Sequence, residues 1–295
     1  MNTRDSNRCW IACVAVLIVT TSTTDVRAQS AVTRTRVEKE VDMSDRVVTF
    51  DAADGVKIEA DWYPAKVEGD DKSPVAILIH MYPATRTSWK PLVPLLRNEL
   101  GISILAYDIR GTGGSTKPEA LELEKKYQAR DPEHFAAATR DTTGARSWLE
   151  QQPGVDVDRM ILIGASVGCS ISLQYAAERM DVVGVACLSP GTNYMGIDSV
   201  GHMTALKNAK TKVLLIAPEG EYAAVESLLE AAGDSDNAKG KKYAGGRENH
   251  GTRMFDARYG AKVKNRLQTF ARGVLDIKKA SKKKKDDEKK KATAG

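Results

Sequence analysis

Short apolar runs recur along the middle of the chain and alternate with stretches whose apolar residues follow a helical period. The runs predict strands that are buried on both faces, as in a parallel sheet. They lie at residues 75–79, 103–107, 160–163, 182–188 and 213–217, with a short last strand at 242–244. The helical stretches lie at residues 89–100, 132–149, 167–179, 222–232 and 256–275. This alternation predicts βαβ units and a mostly parallel sheet covered by helices on both faces.

The region before these runs has a different pattern. Residues 47–50 and 56–63 read as strands, and Ala53, Asp54 and Gly55 between them are typical of a turn. We therefore expect an antiparallel hairpin at one edge of an α/β sheet. In such sheets ligands bind beyond the carboxyl ends of the strands, so functional residues are expected there.

The first 28 residues have the composition of a secretory signal peptide. Arg4 and Arg8 precede an apolar run at residues 10–19, and a small-residue cleavage signal ends at Ala28. The run is half the length of about 20 residues that a spanning helix needs. We predict export to the periplasm or beyond, without a stable membrane span; an uncleaved anchor is the alternative. Residues 29–45 are predicted to form an extended lead-in.

Positive charge is concentrated at the end of the chain. Residues 278–295 contain nine lysines and three acids, a charge of +6, so the chain's total of +5 leaves −1 for everything before them. A nearly neutral body gives no reason to expect nucleic-acid binding. The tail has too few apolar residues to form a core, so we predict disorder; contact with anionic surfaces is its functional alternative.

Two cysteines follow the predicted signal peptide, Cys169 and Cys187. Both fall in predicted core elements, which favours small buried side chains over a disulfide. Cysteines and histidines are not spaced as zinc ligands are, so neither a metal nor an organic cofactor is predicted.

The motif Gly164-Ala165-Ser166-Val167-Gly168 follows one predicted strand and opens one predicted helix. This setting is that of a nucleophile elbow, in which a sharp turn lifts a serine hydroxyl above the sheet. The glycines are needed because a Cβ there would collide with the adjoining strand and helix. The start of the helix directs free N–H groups and a positive partial charge at the site. Ser166 is therefore the predicted nucleophile.

The general base is identified by elimination among four histidines. In folds with this motif the catalytic residues follow in the order serine, acid, histidine. His80 and His134 precede Ser166, and His202 lies before the expected acid. His250 follows the last predicted strand in a glycine-rich loop, just before the final helix. We predict that His250 is the base.

The acid has several candidates. The loop after the strand at 213–217 contains Glu219 and Glu221 but no Asp, which is the usual residue there. Glutamate also orients an imidazole and stabilises its charge. Spacing from the strand end favours Glu221 over Glu219, and Asp198 is a further alternative.

An oxyanion formed at Ser166 needs two N–H donors. One is predicted at the backbone of Val167, the residue after the nucleophile. The other is predicted at Tyr82, in the loop after the strand at 75–79, with Met81 as the alternative. His80 is expected to hold this loop, and the Tyr82 ring is expected to line the substrate site.

A glycine-rich segment at residues 108–115 lacks the Gly-Lys-Ser/Thr ending of a phosphate-binding loop. We interpret it as a structural turn in which Asp108 pairs with Arg110.

In these residues the chain resembles the α/β-hydrolase superfamily, especially its dienelactone-hydrolase-like and small-esterase branches. The matching segments are residues 80–83, 107–113, 164–168 and 250–251. The resemblance implies an α/β-hydrolase fold over residues 46–277. Two positions depart from the family, since Met81 replaces the usual Gly and a glutamate replaces the usual Asp. The family's cap position, residues 189–212, is too short for a large cap domain.

The predicted function is that of a serine hydrolase of the carboxylesterase or dienelactone-hydrolase-like type. Ser166 attacks an acyl carbonyl, His250 shuttles the proton, and Glu221 orients His250. The backbones of Tyr82 and Val167 hold the oxyanion, and the partner is a small-molecule acyl substrate. The alternatives are a non-catalytic binding protein on the same fold, suggested by the two departures, and an acyltransferase with the same triad.

Overall fold

The computed structural model describes residues 44–116, 121–233 and 235–278. The predicted signal peptide, the lead-in up to residue 43 and the lysine-rich tail after residue 278 lie outside the described residues. Within them, an eight-stranded sheet carries helices on both faces. None of the helices in these ranges is both long enough and apolar enough to cross a membrane.

The strands of the described ranges are short, and the central ones are completely buried. They are β1 Arg46–Asp51, β2 Lys57–Tyr63, β3 Ser73–Ile79, β4 Ser103–Tyr107, β5 Val155–Ala165, β6 Gly184–Leu188, β7 Asn193–Tyr194, β8 Ile197–Asp198, β9 Lys212–Pro218 and β10 Ala238–Tyr243.

The helices alternate with these strands. They are α1 Val93–Leu100, α2 Leu121–Gln128, α3 Pro132–Ala136, α4 Thr139–Glu150, α5 Val167–Arg179, α6 Ser199–Ala205, α7 Tyr222–Ala232 and α8 Gly260–Val274. Short 3-10 helices connect them, among them Arg86–Trp89, Glu219–Glu221 and Gly251–Phe255.

The strand order of the main sheet is β1-β2-β4-β3-β5-β6-β9-β10. β1 pairs antiparallel with β2, and β2 antiparallel with β4, whereas all other neighbours are parallel. This confirms the predicted hairpin and mostly parallel sheet. The chain winds in opposite directions from β3 and from β5, which lie side by side with Ile79 opposite Gly164. A crevice forms at such a switch point, so the loops after β3 and β5 meet where ligands bind in this class of sheet.

The core lies on both faces of the sheet because alternate strand residues point to opposite sides. On one face, Ile77 of β3 packs with residues of α4, α5 and α7. On the other face, Leu78 packs with residues of α1 and α8. Full burial of both positions explains why these strands read as continuous apolar runs.

Several elements differ from the sequence-based prediction. The single helix predicted at 132–149 is two helices, α3 and α4, and Asp131 caps α3 by accepting a bond from the His134 N–H at 2.7 Å. The final helix begins only at Gly260, because residues 256–259 form a turn after the 3-10 helix Gly251–Phe255. The pattern did not predict α2, α6 or the hairpin β7–β8. The segment between β6 and β9 holds only that hairpin, α6 and a 3-10 turn, so no large cap is present there.

The two described cysteines, Cys169 and Cys187, are free and buried, as predicted. The predicted pairing of Asp108 with Arg110 is wrong. Arg110 instead binds the carboxylates of Asp54 and Asp141, while Asp108 binds the Arg86 side chain. The segment is still a turn, since Arg110 fastens it to α4 and Asp108 accepts a bond from the Gly114 N–H at 2.8 Å.

Candidate active site

Ser166 occupies a sharp turn between the end of β5 and the start of α5. Its backbone has φ 51° and ψ −119°, a conformation that an L-residue adopts only under strain. The turn is fixed by the Ser166 N–H, which donates to the Leu188 carbonyl at 2.9 Å, and by the Cys169 N–H, which donates to the Ser166 carbonyl at 2.8 Å. Backbone strain maintained in this way at the end of a central strand is characteristic of functional positions.

The two glycines beside this turn are required by space. A Cβ on Gly164 would lie 2.3 Å from the Gly168 carbonyl oxygen, and a Cβ on Gly168 would lie 2.2 Å from the Ile79 carbonyl oxygen. Both distances are far below van der Waals contact. The absence of side chains therefore allows α5 to start directly against β3 and β5.

Val167 is the first residue of α5 and is fully buried. The N–H groups of a helix's first turn have no acceptor within the helix. The Val167 N–H is thus available beside Ser166, where the helix dipole also favours negative charge. This position fits the donor expected from the sequence.

His250 and Glu221 are in contact beyond the carboxyl ends of the strands, His250 in the loop after β10 and Glu221 in the loop after β9. His250 Nδ1 lies 2.8 Å from Glu221 Oε1 and 2.9 Å from Oε2, so one ring nitrogen faces both carboxylate oxygens. Both side chains are partly buried, with exposures of 21% and 13%. The acceptor at Nδ1 fixes a tautomer in which Nδ1 carries the proton, leaving Nε2 free to accept one.

The other acid candidates lie elsewhere. Glu219 belongs to the same 3-10 helix as Glu221, but it does not share the His250 contact. Asp198 caps α6 by accepting a bond from the Gly201 N–H at 3.0 Å. Of the three candidates, the structure therefore brings Glu221 to His250.

The loop that carries His250 is fastened to the nucleophile turn. The Gly251 N–H donates to Ser189 Oγ at 2.9 Å, just beyond the end of β6. A Cβ on Gly251, which has φ 58°, would lie 2.5 Å from Met81 Sδ and 3.5 Å from Ala165 Cβ. The residue after His250 thus packs against the residue before Ser166, which brings the two loops together.

The packing of Met81 explains why this chain has a methionine at the position where the family usually has glycine. Its side chain is buried beneath the His250 loop, where it contacts Gly251 and receives a weak hydrogen bond from Thr252 Oγ1 at 3.8 Å. A glycine would leave this space empty. Met81 therefore links the loop after β3 to the loop of the proposed base.

His80 holds the same loop from inside. The Ile109 N–H donates to His80 Nε2 at 3.0 Å, so the proton lies on Nδ1, which donates to the Met81 carbonyl at 2.9 Å. Complete burial lowers the pKa of His80, and the charge of Arg86 acts in the same direction. The hydrogen bond to Met81 and the charge of Asp108 oppose this effect. The neutral His80 ring therefore holds the loop after β3 in place through its two hydrogen bonds, as expected from the sequence.

A charged cluster supports the loop after β3 from the other side. The Arg86 guanidinium donates to Glu59 and Asp61, at 2.8 Å in each case, and also to Asp108. The Arg86 N–H donates to Asp108 Oδ1 at 2.8 Å. Three carboxylates around one guanidinium raise the pKa of Arg86 above its usual range against the effect of burial. The cluster ties this loop to β2 and β4.

A cavity of about 540 Å³ opens beside His250 and Glu221. Tyr82 lines it together with Met81, Tyr194 and two arginines, Arg247 and Arg253. The Tyr82 ring is fixed from behind by Tyr127, at a centroid distance of 5.1 Å, and by the Arg130 guanidinium, 4.8 Å from the ring centre. The cavity is large enough for a small organic molecule. Among the described residues, no group of His, Cys, Asp and Glu is arranged to bind a metal ion.

Tyr194 was not recognised from the sequence. It lies on the short strand β7, its ring stands edge-on to the His250 ring at 6.2 Å, and it lines the cavity. Nothing in the residues around it distinguishes it from other tyrosines of the chain.

Comparison with known proteins agrees with this architecture. The model of the family described as alpha/beta hydrolase fold matches residues 74–208. Epoxide hydrolase A of Mycobacterium tuberculosis is 44% identical over 54 residues, which are 18% of this chain and 16% of that protein. An uncharacterised protein of the same species is 28% identical over 134 residues, 45% of this chain and 42% of that protein. The chain thus spans less than half the length of either relative.

Solved structures resemble the chain over most of its length. An esterase from Pyrococcus furiosus superposes with a TM-score of 0.60 at 16% identity, covering 79% of this chain and 92% of that chain. A dienelactone hydrolase from Anabaena variabilis superposes with a TM-score of 0.56 at 17% identity, covering 77% and 95%. At such identities the likeness concerns the fold.

Proposed function

We propose that this chain, whose residues 74–208 match the model of the alpha/beta hydrolase fold family, is a serine hydrolase that cleaves carboxylic esters or related acyl compounds. The observation that carries the proposal is the contact of both Glu221 oxygens with His250 Nδ1. The loop that contains His250 also packs against Ala165, the residue before the strained Ser166. A general-base system for a serine nucleophile consists of an acid, an imidazole and the serine, and these contacts support that assignment for Glu221, His250 and Ser166.

The proposed reaction has two halves. The Ser166 oxygen attacks the acyl carbonyl, and His250 Nε2 takes the proton while Glu221 stabilises the resulting imidazolium. The N–H groups of Val167 and Tyr82 hold the oxyanion, and its collapse expels the alcohol, which receives the proton from His250. Water then attacks the acyl-enzyme with the same assistance, releasing the acid and restoring Ser166.

The departures from the family are compatible with this chemistry. Glutamate provides the same carboxylate as aspartate, and in this chain both of its oxygens reach Nδ1. Met81 fills the space under the His250 loop, where its sulfur lies against Gly251 and Thr252. Neither substitution removes a group that the reaction requires.

The test is hydrolysis of p-nitrophenyl esters by the wild type and by Ser166→Ala. We expect release of nitrophenol by the wild type and a loss on the order of 10³-fold or more in the variant. No hydrolysis of any ester or lactone by folded wild-type protein would support the binding-protein alternative. Transfer of the acyl group to an added alcohol in preference to water would support the acyltransferase alternative. Assaying an epoxide in parallel tests the activity named for the M. tuberculosis relative.

We also propose that the mature enzyme is exported. The charged start, short apolar run and small-residue signal ending at Ala28 support it. Expression in a bacterial host and mass spectrometry of the periplasmic fraction should find a chain that begins at Gln29. A full-length chain retained in the membrane fraction would support an uncleaved anchor.

A further inference from the structure

Tyr194 packs against the proposed base and lies near the side chain of the proposed nucleophile. Its ring stands edge-on to the His250 imidazole, with centroids 6.2 Å apart and an interplanar angle of 83°. Burial, together with the charges of nearby Cys169 and Glu221, raises the pKa of Tyr194 to about 12 against the opposing effect of the Ser166 side chain. The phenol is therefore protonated at neutral pH and lies beside the hydroxyl that is to attack the substrate.

The backbone around Tyr194 is fixed. β7 and β8 form a hairpin in which Tyr194 lies opposite Ile197, and the turn residues Met195 and Gly196 have φ 52° and 83°. Positive φ at both central residues is the geometry that suits a two-residue hairpin turn. At the base of the hairpin the Ser199 N–H donates to the Thr192 carbonyl at 3.0 Å.

Two close contacts fix the position of the hairpin against the rest of the protein. A Cβ on Gly191 would lie 2.7 Å from the Tyr194 ring, so the ring rests directly on the backbone there. A Cβ on Gly196 would lie 2.6 Å from Pro132 Cβ, so the hairpin turn rests on α3. The ring is consequently a wall of the site rather than a side chain on a free loop.

This wall restricts access to the serine. Ser166 is only 7% exposed, and it is not among the residues that line the cavity beside His250, whereas Tyr194 is. A substrate that enters from this cavity meets the Tyr194 ring beside His250, so we infer that the ring limits the size of the acyl group that can approach Ser166. In a hydrophobic pocket, one methylene group more or less in the substrate changes kcat/KM by about 10- to 200-fold.

We propose that Tyr194 is a specificity-determining residue that limits the substrates of Ser166 to esters with short, unbranched acyl groups. This inference rests on the proposed function of Ser166. The ring, rather than the hydroxyl, imposes the limit, so phenylalanine preserves it and alanine removes it.

The first experiment compares kcat/KM for p-nitrophenyl acetate and p-nitrophenyl octanoate in the wild type, Tyr194→Phe and Tyr194→Ala. The ratio of the two rates is the readout, because loss of the contact with His250 alters both rates together. We expect the wild type and Tyr194→Phe to prefer acetate, and Tyr194→Ala to shift the ratio toward octanoate by roughly tenfold or more. An unchanged ratio in Tyr194→Ala overturns the inference while leaving the ester hydrolase intact.

The second experiment does not depend on hydrolysis. Ser166→Cys places a thiol at the same position, and its alkylation by iodoacetamide and by the bulkier N-phenylmaleimide is followed by mass spectrometry. In the Tyr194→Ala background the maleimide rate should rise roughly tenfold more than the iodoacetamide rate. The chain with Ser166 intact is the control for Cys169 and Cys187, which are buried. Equal changes for both reagents contradict a steric role for Tyr194, even if the wild type hydrolyses no ester.

Discussion

The carboxylate of Glu221 faces Nδ1 of His250 with both oxygens, at 2.8 and 2.9 Å. An imidazole held this way keeps one tautomer and one orientation, and its positive form is stabilised by the adjacent negative charge. Through this contact the loop after β9 acts on the residue proposed to move the proton.

Replacing Glu221 by Ala should lower kcat for ester hydrolysis on the order of 10²- to 10⁴-fold, because His250 loses both its orientation and its counter-charge. Glu221→Gln should lose nearly as much, since a neutral amide does not stabilise the imidazolium. Steady-state kinetics with p-nitrophenyl acetate measures both effects. Glu219→Ala is the matched control from the same 3-10 helix, and a loss in this variant equal to that of Glu221→Ala would contradict the assignment.

Replacing Gly168 by Ala should lower the free energy of unfolding by about 1–3 kcal/mol or more, because the new Cβ would overlap the Ile79 carbonyl. Urea unfolding followed by circular dichroism gives the value. Gly273→Ala in α8 is the control, since nothing lies within 4 Å of a Cβ there, and helix propensity predicts a gain of about 0.5–1 kcal/mol. Similar effects of the two variants would contradict the close packing of α5 on β3.

Truncating Met81 to Gly should destabilise the protein by about 2–5 kcal/mol through the cavity left beneath Gly251 and Thr252. It should also lower kcat, because the loop of His250 loses its support. Met81→Leu, which keeps the volume, should cost less than about 1.5 kcal/mol. Thermal unfolding and ester kinetics on the same samples test both points. A Met81→Gly protein with wild-type stability and rate would show that the packing has no such role.

Burial lowers the pKa of His80, so the unfolded chain takes up a proton at this residue at a higher pH than the folded chain. The stability contributed by neutral His80 is present above about pH 6.5 and is lost as the pH falls from there through the folded-state pKa. In His80→Asn, the free energy of unfolding should depend less steeply on pH below about 6.5, by up to about 1.4 kcal/mol per pH unit. Urea titrations of both proteins at several pH values measure the difference. Parallel curves would contradict a neutral His80.

The fold could be predicted because its strands are buried on both faces and its helices lie between them, a pattern that periodicity alone detects. Element boundaries were less predictable. The sequence predicted α3 and α4 as one helix because the residues between them, Ala137 and Ala138, are strong helix formers, and in the structure they keep helical dihedral angles. The strands β7 and β8 have two residues each, too few to show a period.

The proposed site was predictable only in part. Ser166 and His250 follow from a motif and from chain order. The choice between Glu219 and Glu221 depends on the rotation of a 3-10 helix, where residues two apart point in very different directions. Tyr194 approaches Ser166 through a hairpin that local sequence does not reveal. The partners of Asp108 and Arg110 come from distant elements, β2 and α4 among them, and spacing along the chain favoured the wrong pair.

The most direct test of the account is covalent labelling of Ser166. The folded wild type and the Ser166→Ala variant are incubated with a small fluorophosphonate, and the adduct is located by intact-mass and peptide mass spectrometry. We predict one adduct per wild-type chain, on Ser166, and none on the variant. An unlabelled wild type, or an adduct that persists at another residue of Ser166→Ala, would contradict a nucleophile activated by His250 and Glu221.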